Sequence, residues 1–437
     1  MCRVPNFFGS FFGDGIRTGI PANETLTFTG GGEGEVVNND TLVVIGPSTV
    51  FGGFDGPFDG PGGPYTLTTD VTANAAGGPP FAAFENNQLT SLVQVNFPGA
   101  QFLNGSVTPV FDDEPFFGND IVFNYLYNNG QGTFVSLPNP AGGGLVGRNK
   151  YFENGSPIPR DRVYFFYNHL GNFQGMGNSF GINRYVLGYE EAFLDNCFSL
   201  EVRVPFASTA SSDQVAGQGM AVDNAEFGNI GLALKACLYR NANFLSSAGL
   251  GLSLPTADDS QMLVAGAPAV VIENKTCLLQ PMFGFVWAPD DRSYAQFGMQ
   301  VDIDPSGNPV QVVSAGGGLA QAGVYTDQAY GYVSGAAGHW IYGNPQGNLT
   351  GVALQAELNS DFSFGHQDAI VTDAVTVTDL TRSINPLNGT IGTILRFHER
   401  TNLSAGIQFP LTGDRQYDWN LIAQLNVFLR GGGAYRR

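Results

Sequence analysis

Residues 182–206 read INRYVLGYEEAFLDNCFSLEVRVPF. In the second half every even position is apolar (Phe198, Leu200, Val202, Val204, Phe206), while Ser199, Glu201 and Arg203 fall between them. A period of two marks a β-strand with one apolar and one polar face. The first half sets Tyr185, Leu187, Tyr189 and Phe193 against Asn183, Arg184, Gly188 and Glu190, less cleanly. A tight turn near Leu194–Asn196 makes the pair a hairpin. Each arm has about ten residues, the length a tilted strand needs to cross a bilayer.

The pattern recurs at 118–127, within 156–173, and at 227–239, 244–254, 278–287, 292–303, 351–361, 391–398, 402–410 and 417–429. With the hairpin this predicts about twelve strands, give or take about two, short turns alternating with long loops as in outer-membrane barrels. Residues 304–349 read as a long Gly-, Ala- and Tyr-containing excursion in which Trp340–Tyr342 is a short strand or an interfacial aromatic cluster. Residues 362–390 read as another long loop. Short strand candidates at Thr25–Thr29, Thr41–Val44 and Ser91–Phe97 flank a Gly/Pro-dense loop at 51–64. The pairs of Phe in VPNFFGSFFGDG suggest a tail packed on the body of the protein.

A soluble sandwich alternates too, so the composition of the polar face decides. Charged residues are 13% of the chain, against about 25% in soluble domains, and Lys is sparse. The polar positions hold Gln, Asn, Ser, Gly and isolated charges, whereas a soluble surface carries abundant Lys and Glu. Tyr185, Tyr189, Trp287, Tyr294, Tyr417 and Trp419 lie near strand ends, as in the aromatic girdles of a bilayer interface. In lipid a sheet must close to leave no edge unpaired. The expected fold is therefore all-β: an antiparallel transmembrane β-barrel of about twelve strands with a Gly/Pro/Phe-rich N-terminal region. The expected domains are an N-terminal plug, cap or surface region over 1–117, the barrel over 118–430 and a tail over 431–437. No run of about 18 apolar residues predicts a transmembrane helix. No signal peptide is visible, so the sequence reads as a mature or incomplete form.

A balance of 19 Lys and Arg against 38 Asp and Glu, net −19, argues against a nucleic-acid partner. His169, His339, His366 and His398 form no pair at metal-ligand spacing, and HExxH, GxSxG and P-loop motifs are absent, so an enzyme is not expected. Cys2, Cys197, Cys237 and Cys277 match no zinc or redox spacing, leaving a disulfide and free thiols equally open. The VDIDPSGNP stretch places Asp302, Asp304 and Asn308 loosely like a calcium loop but lacks the distal Glu, which favours an ordinary Asp/Gly turn; calcium is the only cofactor candidate. Alternation directs Glu201, Arg203, Lys235, Arg292, Asp302 and Glu357 into the lumen. Charges of both signs there either set selectivity at a pore constriction or pair with each other and hold a plug.

FLDNCFSLEVRVPF (193–206), FGNIGLALKACLYR (227–240), GLGLSLPTADD (249–259) and IQFPLTGDRQYDW (407–419) resemble the strand-turn phrases of outer-membrane transporters of the phenol meta-pathway type. SPIPRDRVYFFYNHL (156–170) resembles the barrel start in outer-membrane proteins of planctomycete-like bacteria. The resemblance covers roughly 150–430 and departs from the family where Ala257 replaces a usual Gly and where Phe428 has the opposite parity to Trp419 and Leu421. It implies a bacterial outer-membrane barrel passing small molecules. The partners expected are a lipid bilayer and small solutes, compatibly with a homo-oligomer. The reading is a porin or transporter whose lumen charges set selectivity; the alternative is a structural outer-membrane or surface-lattice protein whose barrel is an anchor.

Overall fold

The computed structural model describes residues 4–20, the paired strand segments within 23–128, and 133–429 apart from 175–178, 223, 314–317, 365–368, 372–374, 380–384 and 399. The chain divides into two units: residues 1–19 with 134–437, and Ile20–Thr133.

In the first unit twelve strands close into a ring. In chain order they are β1 (Arg162–Phe173), β2 (Phe180–Phe193), β3 (Phe198–Thr209), β4 (Ile230–Arg240), β5 (Phe244–Leu254), β6 (Leu278–Trp287), β7 (Ser293–Asp302), β8 (Ala329–Gly343), β9 (Leu349–Phe364), β10 (Leu387–Phe397), β11 (Thr401–Pro410) and β12 (Trp419–Phe428). Each pairs antiparallel with the next, and β12 returns to β1 with Arg162 opposite Phe428 and Gly171 opposite Trp419. The fold class is thus the expected all-β barrel, and closure leaves the wall without an unpaired edge.

The two faces of the wall are inverted relative to a soluble protein. In β3, Ser199, Glu201 and Arg203 are buried while Leu200 is 49% exposed. In β9, Gln355, Glu357, Asn359 and Asp361 are buried while Leu354 and Leu358 are 50% and 54% exposed. In β12, Asn420, Gln424 and Asn426 face in, and Leu421, Leu425 and Val427 face out. An apolar band outside a polar interior is the arrangement lipid requires of a barrel.

Two assignments change places. The segment 118–127 is not in the barrel: Phe117–Asn128 pairs with Asn23–Asn38 and with Ala100–Phe111 in a sheet of the second unit. The missing wall strand is β8, inside the stretch read as an excursion, where it pairs with β7 and β9 along its length. Its outward positions include Gly331, Val333, Gly335 and Ala337, too small to register as an apolar stripe. The candidates Thr25–Thr29 and Thr41–Val44 lie in paired strands of the second unit, and Val93–Val95 pairs with Leu67–Thr69. The 51–64 loop and the 431–437 tail lie outside the described residues.

The connections differ at the two ends. Residues 194–197, 241–243, 288–292, 344–348 and 398–400 make short turns at one end. At the other, 210–229, 255–277, 303–328 and 365–386 are long. They carry their own pairing: Asp213–Val215, Ser260–Val264, Ala267–Ile272, Asn308–Val313 and Leu319–Tyr325 form one five-stranded sheet.

Candidate functional site: the filled lumen

The interior of the ring is occupied by the chain itself. Residues 4–16 are buried throughout, and so are 137–160 apart from half-buried Gly144. The first pass starts at the short-turn end, where Arg160 Nη2 donates to the Val4 carbonyl at 2.5 Å and Asn6 Nδ2 donates to Asn426 Oδ1 at 3.1 Å. It ends among the long connections, where Gln416 Nε2 donates to the Gly13 carbonyl at 2.8 Å. Beyond it Gly15–Ile20 pairs antiparallel with Thr376–Asp379. The second pass enters at that end, where Ser260 Oγ donates to the Pro138 carbonyl at 2.6 Å and Asn229 Nδ2 to that of Pro140 at 3.1 Å. It runs back to Arg162 at the start of β1.

Neither pass contains a long regular element, so its backbone N–H and C=O groups need partners that water cannot supply in the filled lumen. The inward polar face supplies them. Glu357 accepts from Phe8 N at 2.8 Å and Gly9 N at 2.7 Å. Gln424 and Gln408 donate to the carbonyls of Phe7 (2.9 Å) and Gly9 (3.0 Å). Gln280 and Gln300 each donate to the Asn149 carbonyl at 3.0 Å. Arg203 serves three carbonyls, those of Lys150 (2.7 Å), Glu153 (3.0 Å) and Tyr151 (3.0 Å).

Glycines in the wall make room for the rings of the two passes. A Cβ at Gly251 would lie 2.2 Å from the Tyr151 ring, one at Gly298 2.5 Å from Phe152, and one at Gly392 2.3 Å from Phe8. Phe7 and Phe152, one from each pass, meet edge to face at 5.6 Å, an arrangement aromatic pairs favour.

The lumen charges are paired, as burial demands. Arg162 lies 2.8 Å from Glu190 and 3.3 Å from Glu201; Arg203 lies 2.9 Å from Glu201, and Lys235 lies 2.6 Å from Glu190. Arg184 bridges to Glu153 at 2.6 Å, and Lys150 to Asp361 at 2.8 Å. Near the long connections Arg148 of the second pass meets Asp14 of the first at 3.1 Å, Asp302 of β7 at 3.5 Å, and Asp327. Burial, above all, pushes the Asp327 carboxyl up to about 7; Arg148 pulls it down and Asp14 pushes it up.

Of the predicted lumen residues, Glu201, Arg203, Lys235, Asp302 and Glu357 are buried inside the ring, the first three in one cluster. Arg292 is a correction. Its parity points inward, but it sits in the turn before β7 and is exposed, lining a cleft at the rim with Trp340 and Arg396. The three calcium candidates are each engaged by protein donors. Asp302 faces Gln280, Gln300 and Arg148. Asp304 instead accepts from Thr276 Oγ1, Gly307 N and Asp327 N, and Asn308 accepts from Lys275 N and Thr276 N. The three side chains address different donors, as in an Asx-type turn, and among the described residues no group of three His, Cys, Asp or Glu could hold a metal. Cys197, Cys237 and Cys277 are free thiols.

Sequence reasoning missed Asp14, Arg148, Lys150, Glu153, Arg184, Asp327 and Asp361. The signal it could have used was RNKYFEN (148–154), a charged run inside a Gly/Pro-rich stretch.

No protein-family model matches the chain, and no curated protein matches it. Among solved structures it is similar to an outer-membrane channel from Pseudomonas putida F1, at 12% identity over 62% of this chain and 97% of that one, with a TM-score of 0.42. It is also similar to the Pseudomonas putida toluene transporter TodX, at 10% identity over 66% and 95%, with a TM-score of 0.33.

Proposed function

We propose that this chain is an outer-membrane β-barrel channel for small solutes, closed by its own residues 4–16 and 137–160. The observation that carries the reading is the relation between wall and filler. An eight-stranded barrel is just filled by its own side chains. Twelve strands enclose more than side chains occupy, and the space is taken by chain that is not part of the wall. A passage exists wherever that filler moves, and Glu201, Arg203, Lys235, Asp302 and Glu357 then line it and set its selectivity.

Single-channel recording in planar bilayers tests this. The intact protein inserts and is silent apart from rare openings, and substitutions that unseat either pass raise the frequency of openings. A barrel that inserts, loses its seating contacts and still passes no current would refute the channel. A protein soluble without detergent would remove the membrane reading altogether. The completeness of the filling favours a second reading, a barrel serving only as an anchor, and the silent outcome would select it.

A further inference from the structure

Residues 20–133 interrupt the lumen hairpin in sequence, and the first unit shows where the chain leaves that hairpin and where it returns. The chain leaves through Gly15–Ile20, which pairs with Thr376–Asp379 of the 365–386 connection. It returns through Thr133–Pro138, which belongs to the same sheet and whose last carbonyl accepts from Ser260 of the 255–277 connection. Arg17 lies over the Phe134 ring at 4.2 Å, and Asn139 N donates to the Asp14 carbonyl at 3.1 Å, so the outgoing and returning strands run side by side. Both ends of the insert are therefore tied among the long connections, and the lumen behind them is full. A chain end held there has no route to the short-turn end except through the ring.

The insert differs chemically from the rest. Between Ile20 and Thr133 the sequence has twelve Asp and Glu and not one of the chain's 19 Lys and Arg. No Lys or Arg stands between Arg17 and Arg148, so proteases that cut after basic residues find no site there.

We propose that the barrel displays residues 20–133 on the long-connection side of the membrane, the cell surface in barrels with short periplasmic turns and long external loops. The display element is the hairpin threaded through the lumen, and the displayed segment is purely acidic and refractory to trypsin-like proteases. The inference rests on the outer-membrane reading for its compartment, and on chain path alone for its side.

The test uses full-length protein in intact cells, with a single epitope inserted at one of three places: between Gly62 and Gly63, between Asp258 and Asp259 in a long connection, or between Asp290 and Asp291 in a short turn. The expected result is antibody labelling of intact cells for the first two, and labelling only after permeabilisation for the third. Labelling at 258 but not at 62 on intact cells overturns the display while leaving the barrel standing. Labelling at 290 in place of 258 overturns the orientation that both inferences share. D59R gives a second readout without an epitope: trypsin added to intact cells cuts within 18–148 in D59R and not in wild type. An uncut D59R that is cut once cells are permeabilised also overturns the proposal.

Discussion

Arg203→Met separates a seated plug from an open lumen most directly. The substitution keeps an unbranched apolar stem of similar bulk and removes every donor. Three backbone carbonyls of the second pass, on Lys150, Tyr151 and Glu153, lose the Arg203 donor at once, and that of Lys150 keeps only Glu153 N at 2.9 Å. Each hydrogen bond to a charged group is worth about 1.5–3 kcal/mol. Relaxation and non-additivity bring the joint loss to about 3–5 kcal/mol. Glu201 keeps Arg162 at 3.3 Å and Lys235 at 3.6 Å, so the substitution does not strand a buried carboxylate. At about 1.4 kcal/mol per tenfold, the open-to-closed ratio rises by about two to three and a half decades. Single-channel recording reads this as frequent openings where wild type has rare ones. Heat-dependent gel mobility confirms in parallel that the barrel itself is folded. A folded Arg203→Met protein as silent as wild type, with chymotrypsin still unable to reach Tyr151 and Phe152, would refute the assignment of Arg203 as the clasp of the second pass.

The first pass responds to Glu357. Glu357→Leu leaves the Phe8 and Gly9 amides without an acceptor, at about 1–3 kcal/mol each, and exposes Phe7, Phe8, Phe11 and Phe12 to chymotrypsin in detergent; Glu357→Gln retains one acceptor oxygen and is cut more slowly. Gly251→Val drives a side chain into the Tyr151 ring, whose hydroxyl donates to the Leu232 carbonyl at 2.6 Å, and lowers stability by about 1–3 kcal/mol in a detergent melt, whereas Gly335→Ala, with nothing within 4 Å, leaves it unchanged. Seating also depends on pH through Asp327, whose carboxyl is raised from 3.8 to about 7 in the folded protein. A raised carboxyl contributes stability that is complete below the unfolded pKa and has been lost once pH has risen through the folded one. Openings therefore increase as pH rises from 3.8 to about 7 and level off above it, and Asp327→Asn flattens the dependence.

The wall was legible because its rule is local. A strand's faces alternate residue by residue, so Leu200 and Glu201 declare opposite sides without reference to any other part of the chain, and the same holds for β7, β9 and β12. It failed where side chains carry no contrast. The outward positions of β8 are mostly Gly and Ala, and pairing with β7 and β9 on both sides, not its own pattern, makes it a strand. In the opposite direction, 118–127 alternates as well as any wall strand and pairs elsewhere, because alternation states that a strand has two faces and not which sheet receives it.

The same limit governs the site. The sequence by itself determined that Glu201, Arg203, Lys235, Asp302 and Glu357 face inward, and left open whether they line a pore or grip a plug. Only the tertiary structure decided, because the filler is gripped largely through backbone groups far away along the chain: Gln424 meets Phe7 across 417 positions and Glu357 meets Phe8 across 349. A backbone carbonyl or amide is the same in every residue and leaves no mark in the sequence. Which stretch of chain satisfies an inward Gln, Glu or Arg is settled by the closure of the ring and by which rings fit over Gly251, Gly298 and Gly392, and those are properties of the assembled barrel.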